Sequence, residues 1–329
     1  MHCMLLGRDS TVTITSLEGV KQLATKLRNW DRWGTDDEFG TVNFITADTI
    51  VRAAKLVKRG KSFALGIGIS KAGPQRLDPL TSRFNPIHLM IRTGTDAAAG
   101  APSNRAFTRT TDDAIIMGTH TATHWDALSH VFYEGKMWNG YDCALVTGTG
   151  ATKNGIEKYK GKLLGRGVLL DVARHKQVKS LEPGFGITPD DLGECAAWEG
   201  VRIERGDFIL IRTGQIRQVK ERGDWGDYAG GDAPGLTIET AEWIHKTEVA
   251  AVASDTWGVE VRPNATADCY MPWHVIVIPN IGLLVGEIFD LEELGEDCAN
   301  DGIYEFMFVA PITPIIGAVG SPIDPMAVK

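Results

Sequence analysis

The chain has 329 residues, of which 43% are hydrophobic, with nine tryptophans and a formal charge of −8. Such a composition supports a substantial packed core and excludes a disordered chain. The acidic balance argues against bulk attraction to nucleic acid or to an anionic membrane, and leaves room for a small substrate in a local pocket.

The first residues, MHCMLLGRDSTVTITSLEG, show no basic stretch followed by a long apolar run, so no secretory signal is expected. No apolar run approaches the roughly 18 residues of a membrane-spanning helix. The five cysteines (Cys3, Cys143, Cys195, Cys269 and Cys298) form no CxxC pair and are odd in number. That fits reduced thiols in a cytoplasmic protein. Leu17–Leu27 reads as a short amphipathic helix, and Asn29–Thr46 (NWDRWGTDDEFGTVNFIT) has a loop composition. Residues 1–46 are therefore expected to form an N-terminal arm to one domain over 47–329, since no repeat or linker divides the rest.

Asp48–Arg59 has helical spacing after a Thr/Asp start. Short apolar, often β-branched runs follow at Ser62–Ile69, His88–Arg92, Ala114–Met117, Gly167–Asp171, Phe208–Arg212, Ala250–Ser254, His274–Ile278 and Phe306–Val309. Helical patterns lie between some of them, at Thr188–Gly200, Thr213–Glu221 and Thr237–Lys246. The expected fold is a mixed, strand-rich α/β domain. GTGATKNG, at Gly148–Gly155, lacks the spacing of a phosphate loop.

One stretch stands out chemically. HTATHWDALSH, His120 to His130, holds three of the chain's eight histidines together with an aspartate. Even spacing would put His120, His124, Asp126 and His130 on one face of a strand. A straight strand, at roughly 3.3 Å per residue, would hold His120 and His124 roughly 13 Å apart, too far to share an ion. A continuous helix brings those two together but turns Asp126 away. The expectation is a bent strand–loop, with Ile115–Met117 as strand, Gly118 at the bend and Asp126 capping a short helix over Ala127–Val131. Imidazole and carboxylate together suit Zn²⁺, Mn²⁺ or Fe²⁺.

This run resembles the HxGTHxDxPxH signature of the metal-dependent cyclase family, which includes bacterial kynurenine formamidases and isatin hydrolases. WGTDDEFGTVNFIT, GEIFDLEEL at Gly286–Leu294 and the final GSPIDPMAVK resemble its longer branch, so the likeness spans most of the chain. Ala122 stands where the signature has Gly, and Leu128 where it has Pro. Both are backbone positions that bear on loop shape rather than on ligation. The resemblance implies the family's swivelling β/β/α fold and assigns roles. His120, His124 and Asp126 match ligands of a first metal, with Asp126 reaching a second. His274, in PWHVIVI, matches a ligand of the second metal, and Glu287, in LLVGEIF, a carboxylate shared by both. His130 matches the general acid/base, and the cofactor is one or two divalent ions, Mn²⁺ or Zn²⁺. Independently, Glu287 follows an apolar run, where an unpaired carboxylate would be costly to bury.

The implied activity is hydrolysis of a C–N bond in a cyclic amide such as an isatin-type lactam, or in an N-formyl arylamine. A lactonase, a dehydrating cyclase and a non-catalytic metal- or ligand-binding protein are the alternatives on the same site. Trp33, Phe39 and Trp125, with Trp30, Phe44 and Phe132, are candidates for an apolar wall against an aromatic small-molecule substrate. Arg83, Arg92 and Arg212 are candidates for binding a carboxylate. Asn29–Thr46 carries more apolar surface than a free loop leaves in water, so it is expected to pack on a neighbouring subunit near its active site. The assembly expected is a homodimer or homotetramer, as the resemblance also implies.

Overall fold

The apolar runs of the sequence converge on one sheet. The structure, a computed structural model, describes residues 13–76, 83–100, 108–266 and 268–329. In chain order the strands used below are β1 (Ser62–Ala64), β2 (Ile87–Arg92), β3 (Asp112–Ile116), β4 (His124–Asp126), β5 (Leu164–Leu170), β6 (Phe208–Ile211), β7 (Ala251–Ser254), β8 (Leu284–Glu287), β9 (Glu305–Val309), β10 (Gly320–Pro322) and β11 (Met326–Val328). All except β2 and β3 join a nine-stranded sheet in the order β1-β11-β9-β5-β6-β7-β8-β4-β10. Its centre, β5-β6-β7-β8, is parallel. There the strands read as almost unbroken Val, Ile, Leu and Ala because both faces are covered. Both flanks are antiparallel, and β4 lies between β8 and β10.

The main helices are α1 (Leu17–Lys26), α2 (Ala47–Ala54), α3 (Pro189–Trp198), α4 (Gln215–Arg222), α5 (Thr240–Thr247), α6 (Pro272–Ile276) and α7 (Glu292–Asp301). Several begin as their sequences dictate. Thr46 and Thr188 cap α2 and α3 through reciprocal side-chain and backbone bonds, and Pro189 occupies the first turn of α3. This is the mixed, strand-rich α/β domain expected, with one large apolar cluster running from Val20 to Ala327.

Two local expectations fail. His274–Ile278 forms not a strand but α6, followed by a π turn over Val277–Ile281. Its β-branched residues are overruled from a distance, because Glu260 accepts hydrogen bonds from the first-turn amides of Trp273 and His274. Ser62–Ile69 is strand only over Ser62–Ala64. Residues 29–46, expected as part of an N-terminal arm, pack against the rest of the domain. Trp30 donates to the Pro279 carbonyl, Trp33 packs edge-on against Phe44 at 5.1 Å, and Thr41 bonds to Ala250 and Gly282. Gly40 lies so close to Gly282 that a Cβ would collide with that backbone. The described part of the expected arm, residues 13–46, is thus built into the same domain.

One buried carboxyl gives the fold a pH signature. Glu199, which caps α3, accepts from the Asp171 amide through one oxygen, while its other oxygen is buried without a partner. Burial, with Asp171 beside it, pushes its carboxyl up to about 8. The native state therefore keeps a proton that the unfolded chain has released above about pH 4.5. Its contribution to stability should be greatest below that pH and be lost as pH rises through about 8. Glu199→Gln should flatten denaturation midpoints between pH 5 and 9 and stabilise the protein at pH 9 by on the order of 2–4 kcal/mol. Parallel pH profiles for the two proteins would refute this account.

Candidate metal centre

The turn before β4 and the strand itself bring the cluster together. His120 lies in the turn and His124 opens the strand, so the chain bends between them and their rings approach to 4.9 Å. The bend was expected, but a helix after Asp126 was not found. Asp126 ends β4, the Ala127 amide bonds to Val319, and the His130 amide bonds to Ala127 in a turn. Met117 and Gly118 follow a strand, β3, that belongs to a separate hairpin with β2.

Strand alternation puts His124 and Asp126 on one face of β4 and Trp125 on the other. Cross-strand pairing places Glu287 of β8 opposite His124. His120 Nε2 and His124 Nε2 each lie 3.3 Å from Asp126 Oδ1. His124 Nε2 is 3.2 Å from Glu287 Oε2, and His274 Nε2 is 3.2 Å from Glu287 Oε1. Gly320 of β10 makes room, because a Cβ there would lie 2.4 Å from His120 Nε2. All five side chains are buried.

Two of the histidines are oriented from behind. His124 Nδ1 is 2.8 Å from the Ala122 carbonyl and His274 Nδ1 is 2.5 Å from Glu260 Oε1. In both cases Nε2 is left facing the carboxylates, the arrangement that metal-binding imidazoles require. Backbone strain frames the acids. Val259 before Glu260 has φ 51° and Ile288 after Glu287 has φ 63°, unfavourable values for β-branched residues.

The donor atoms fit a cation. His120 Nε2, His124 Nε2 and Asp126 Oδ1 are buried without a hydrogen-bond partner. His120, His124 and Asp126 offer ligand atoms within 4.8 Å of one another, and so do Asp126, His274 and Glu287, with Asp126 common to both sets. Without a cation, protons balance the charge. Burial pulls His124 and His274 down, but the adjoining carboxylates prevail and lift them to about 9 and about 10. Burial would raise Glu287, yet those two imidazoles hold it well below the usual carboxylate range. Burial, with His130, His124 and Arg83 nearby, drives His120 far below its ordinary value. A divalent ion held there would displace these protons and take over their role.

His130 stacks on His120 with ring centroids 4.1 Å apart. Burial lowers its pKa, so it is neutral at pH 7. The expected metal set and His130 are thus brought together. The expected aromatic wall is not. Trp125 is a core residue, packed against Phe289, Phe208 and Phe308, with its indole bonded to Ala310. Trp33 packs on Phe44 and Trp138, and Phe39 on Tyr159. Within this chain the contacts of all three are packing contacts.

Of the three arginines, Arg212 is buried in ion pairs with Asp171 and Glu292, and Arg92 pairs with Asp112 on the exposed hairpin. Arg83 alone of these reaches the centre, 4.0 Å from Glu287 Oε2. Sequence reasoning passed over Trp257, Gln75 and Glu260. Gln75 bonds to the Thr121 carbonyl and accepts from the Trp257 indole, bracing the histidine turn. Glu260 carried a usable signal: it stands between Val259 and Val261, in the kind of apolar setting that flagged Glu287.

Residues 42–261 match the family model described as Putative cyclase. A crystal structure described as a novel cyclase is 39% identical, with a TM-score of 0.84 and a match covering 93% of this chain and 99% of that one. Isatin hydrolase A from Ralstonia solanacearum is 20% identical, with a TM-score of 0.62, covering 87% of this chain and 98% of that one. A structure described as a predicted metal-dependent hydrolase from Bacillus stearothermophilus is 19% identical, with a TM-score of 0.52, covering 81% and 97%. The last two bear on the fold alone. No curated protein matches the chain.

Proposed function

Because the chain belongs to the cyclase family, we propose that it is a metal-dependent hydrolase that cleaves the C–N bond of an isatin-type cyclic amide or an N-formyl arylamine. The observation that carries this reading is the trio of buried donor atoms on His120, His124 and Asp126 that no hydrogen bond satisfies. Mn²⁺ or Zn²⁺ held there would polarise the carbonyl and lower the pKa of water towards about 7. His120, His124 and Asp126 would hold one ion, and Asp126, His274 and Glu287 would offer donors for a second. Glu260 fixes the ring of His274. His130, neutral and stacked beside His120, takes the proton from the attacking water and delivers it to the leaving nitrogen as the C–N bond breaks. Two experiments test the reading together: metal analysis, and hydrolysis assays on isatins, N-formyl anilines, lactams and lactones. EDTA should abolish turnover and Mn²⁺ or Zn²⁺ restore it. Full activity in a rigorously metal-free protein, or turnover of lactones alone, would overturn it.

The proposed assembly is a homo-oligomer, and its support lies elsewhere than in residues 29–46. The β2–β3 hairpin leaves Ile87, Leu89, Ile91 and Ile116 about half exposed, while His88 pairs with Asp113 across the same hairpin. Pairing puts Met90 and Ile115, also about half exposed, on the face that carries His88 and Asp113, and gathers Ile87, Leu89 and Ile116 on the other. A lone two-stranded hairpin is at best marginally stable in water, so that face calls for a cover. A second copy related by a two-fold axis supplies one. Leu89→Glu with Ile116→Glu should lower the mass measured by light scattering to that of a monomer. A wild-type monomer at micromolar concentration would exclude the assembly.

A further inference from the structure

His124 and His274 each have a fixed acceptor behind the ring, and His120 does not. Its Nδ1 meets the Thr119 hydroxyl at 3.1 Å. A hydroxyl rotates and can donate or accept, so it locks neither the ring nor its tautomer. The stacked His130 ring touches the face of His120 and fixes no nitrogen. The main chain around His120 is held instead. Gln75, buried and 45 positions away in sequence, donates through Nε2 to the Thr121 carbonyl at 2.9 Å and to the His120 carbonyl at 3.4 Å. Its Oε1 accepts from the Trp257 indole at 3.2 Å. Carbonyls only accept and an indole only donates, so these partners allow the amide a single orientation. Among the described residues, nothing else hydrogen-bonds to those two carbonyls. Gln75 is anchored in turn, because its backbone amide donates to Asn85 Oδ1 and its carbonyl accepts from Asn85 Nδ2, both at 2.9 Å. Further back, the Ile67 amide donates to the Thr123 hydroxyl at 2.9 Å. Residues 67–75 are thus bonded at both ends to the turn that carries His120.

We propose that Gln75 is the positioning residue of His120, holding its ring in place through the main chain of the turn, with the Trp257 indole as the anchor on the far side. Gln75 acts on the donor set formed by His120, His124 and Asp126. It leaves the set formed by Asp126, His274 and Glu287 alone, because Glu260 holds His274 separately. The two sets therefore depend on different supports, although they share Asp126. The proposal takes its cation from the metal-dependent reading above, but the brace itself can be tested without one.

The test is calorimetric titration of Mn²⁺ into Gln75→Met, made in two backgrounds. His274→Ala leaves the ion held by the His120 set, and His120→Ala leaves the ion held by the His274 set. Gln75→Met should weaken the first of these by about 10- to 100-fold, the usual cost of losing a group that orients a ligand. It should leave the second within about twofold, since substitutions at sites without a shared partner act independently. Trp257→Phe keeps an aromatic ring and removes the indole donor, so it should weaken the same ion by less than Gln75→Met does. That variant decides the matter if Gln75→Met fails to fold. Equal weakening in both backgrounds would make Gln75 a general packing residue and overturn the proposal, as would no change in either. Amide hydrogen exchange in the metal-free protein gives an independent reading. Gln75→Met should quicken exchange over residues 119–123 and leave residues 273–276 unchanged; quickening of both alike would also overturn the proposal. The local pattern in a protein that binds no Mn²⁺ would uphold the brace and defeat the metal-dependent reading instead.

Discussion

Asp126→Asn is expected to empty the whole centre. Asp126 belongs to both donor sets, so a neutral amide in its place weakens both at once. Metal content should fall towards zero and turnover by roughly a thousand-fold or more, the several kcal/mol that a Lewis-acid cation contributes. The fold should survive, since Asp126 Oδ1 has no hydrogen bond to lose and Asn has nearly the same shape. His274→Ala is the control, because it removes a ligand from one set only. Elemental analysis of that variant should find one ion fewer than wild type rather than none. An Asp126→Asn protein that keeps its full metal complement would show that the shared carboxylate is not a ligand.

His130→Ala should behave in the opposite way, keeping metal and losing rate. His130 touches the centre by stacking on His120, and it belongs to neither donor set. Loss of a general acid/base costs roughly 10²–10⁴-fold in rate. The loss should appear in kcat with little change in metal affinity. If His130→Ala sheds metal as readily as His124→Ala, His130 is a ligand and its role must be reassigned.

The grouping of the candidate ligands was legible in the sequence because its first three members are local. His120, His124 and Asp126 lie within seven residues, and elementary strand geometry already demanded the bend that the structure has. His274 and Glu287 were reached through family resemblance, and the buried-carboxylate argument served Glu287 alone. The strand positions were legible too, since parallel central strands appear as plain apolar runs. The failures share one physical cause, tertiary contacts overriding local pattern. Val275–Ile278 favours a strand, but Glu260 caps it into a helix. Trp33 and Phe39 look like a free apolar arm until Trp138 and Tyr159, about a hundred residues away, are seen to cover them. Trp125 shows a different limit. Its neighbours His124 and Asp126 line the centre, and the alternation that puts them there turns Trp125 into the core.

The place of β4 between β8 and β10 also has a bearing on when the centre comes into being. Thr123, beside His124, bonds to Ile288, beside Glu287, across 165 positions of sequence. β10 then closes the other edge of β4 with a segment from still further along the chain. Contacts of such separation bear a large loop-closure entropy and tend to form late. A nascent chain therefore holds the three donor groups of its histidine stretch long before it holds all five. The complete donor constellation is a product of folding rather than its seed, since only three of its five groups are neighbours in sequence.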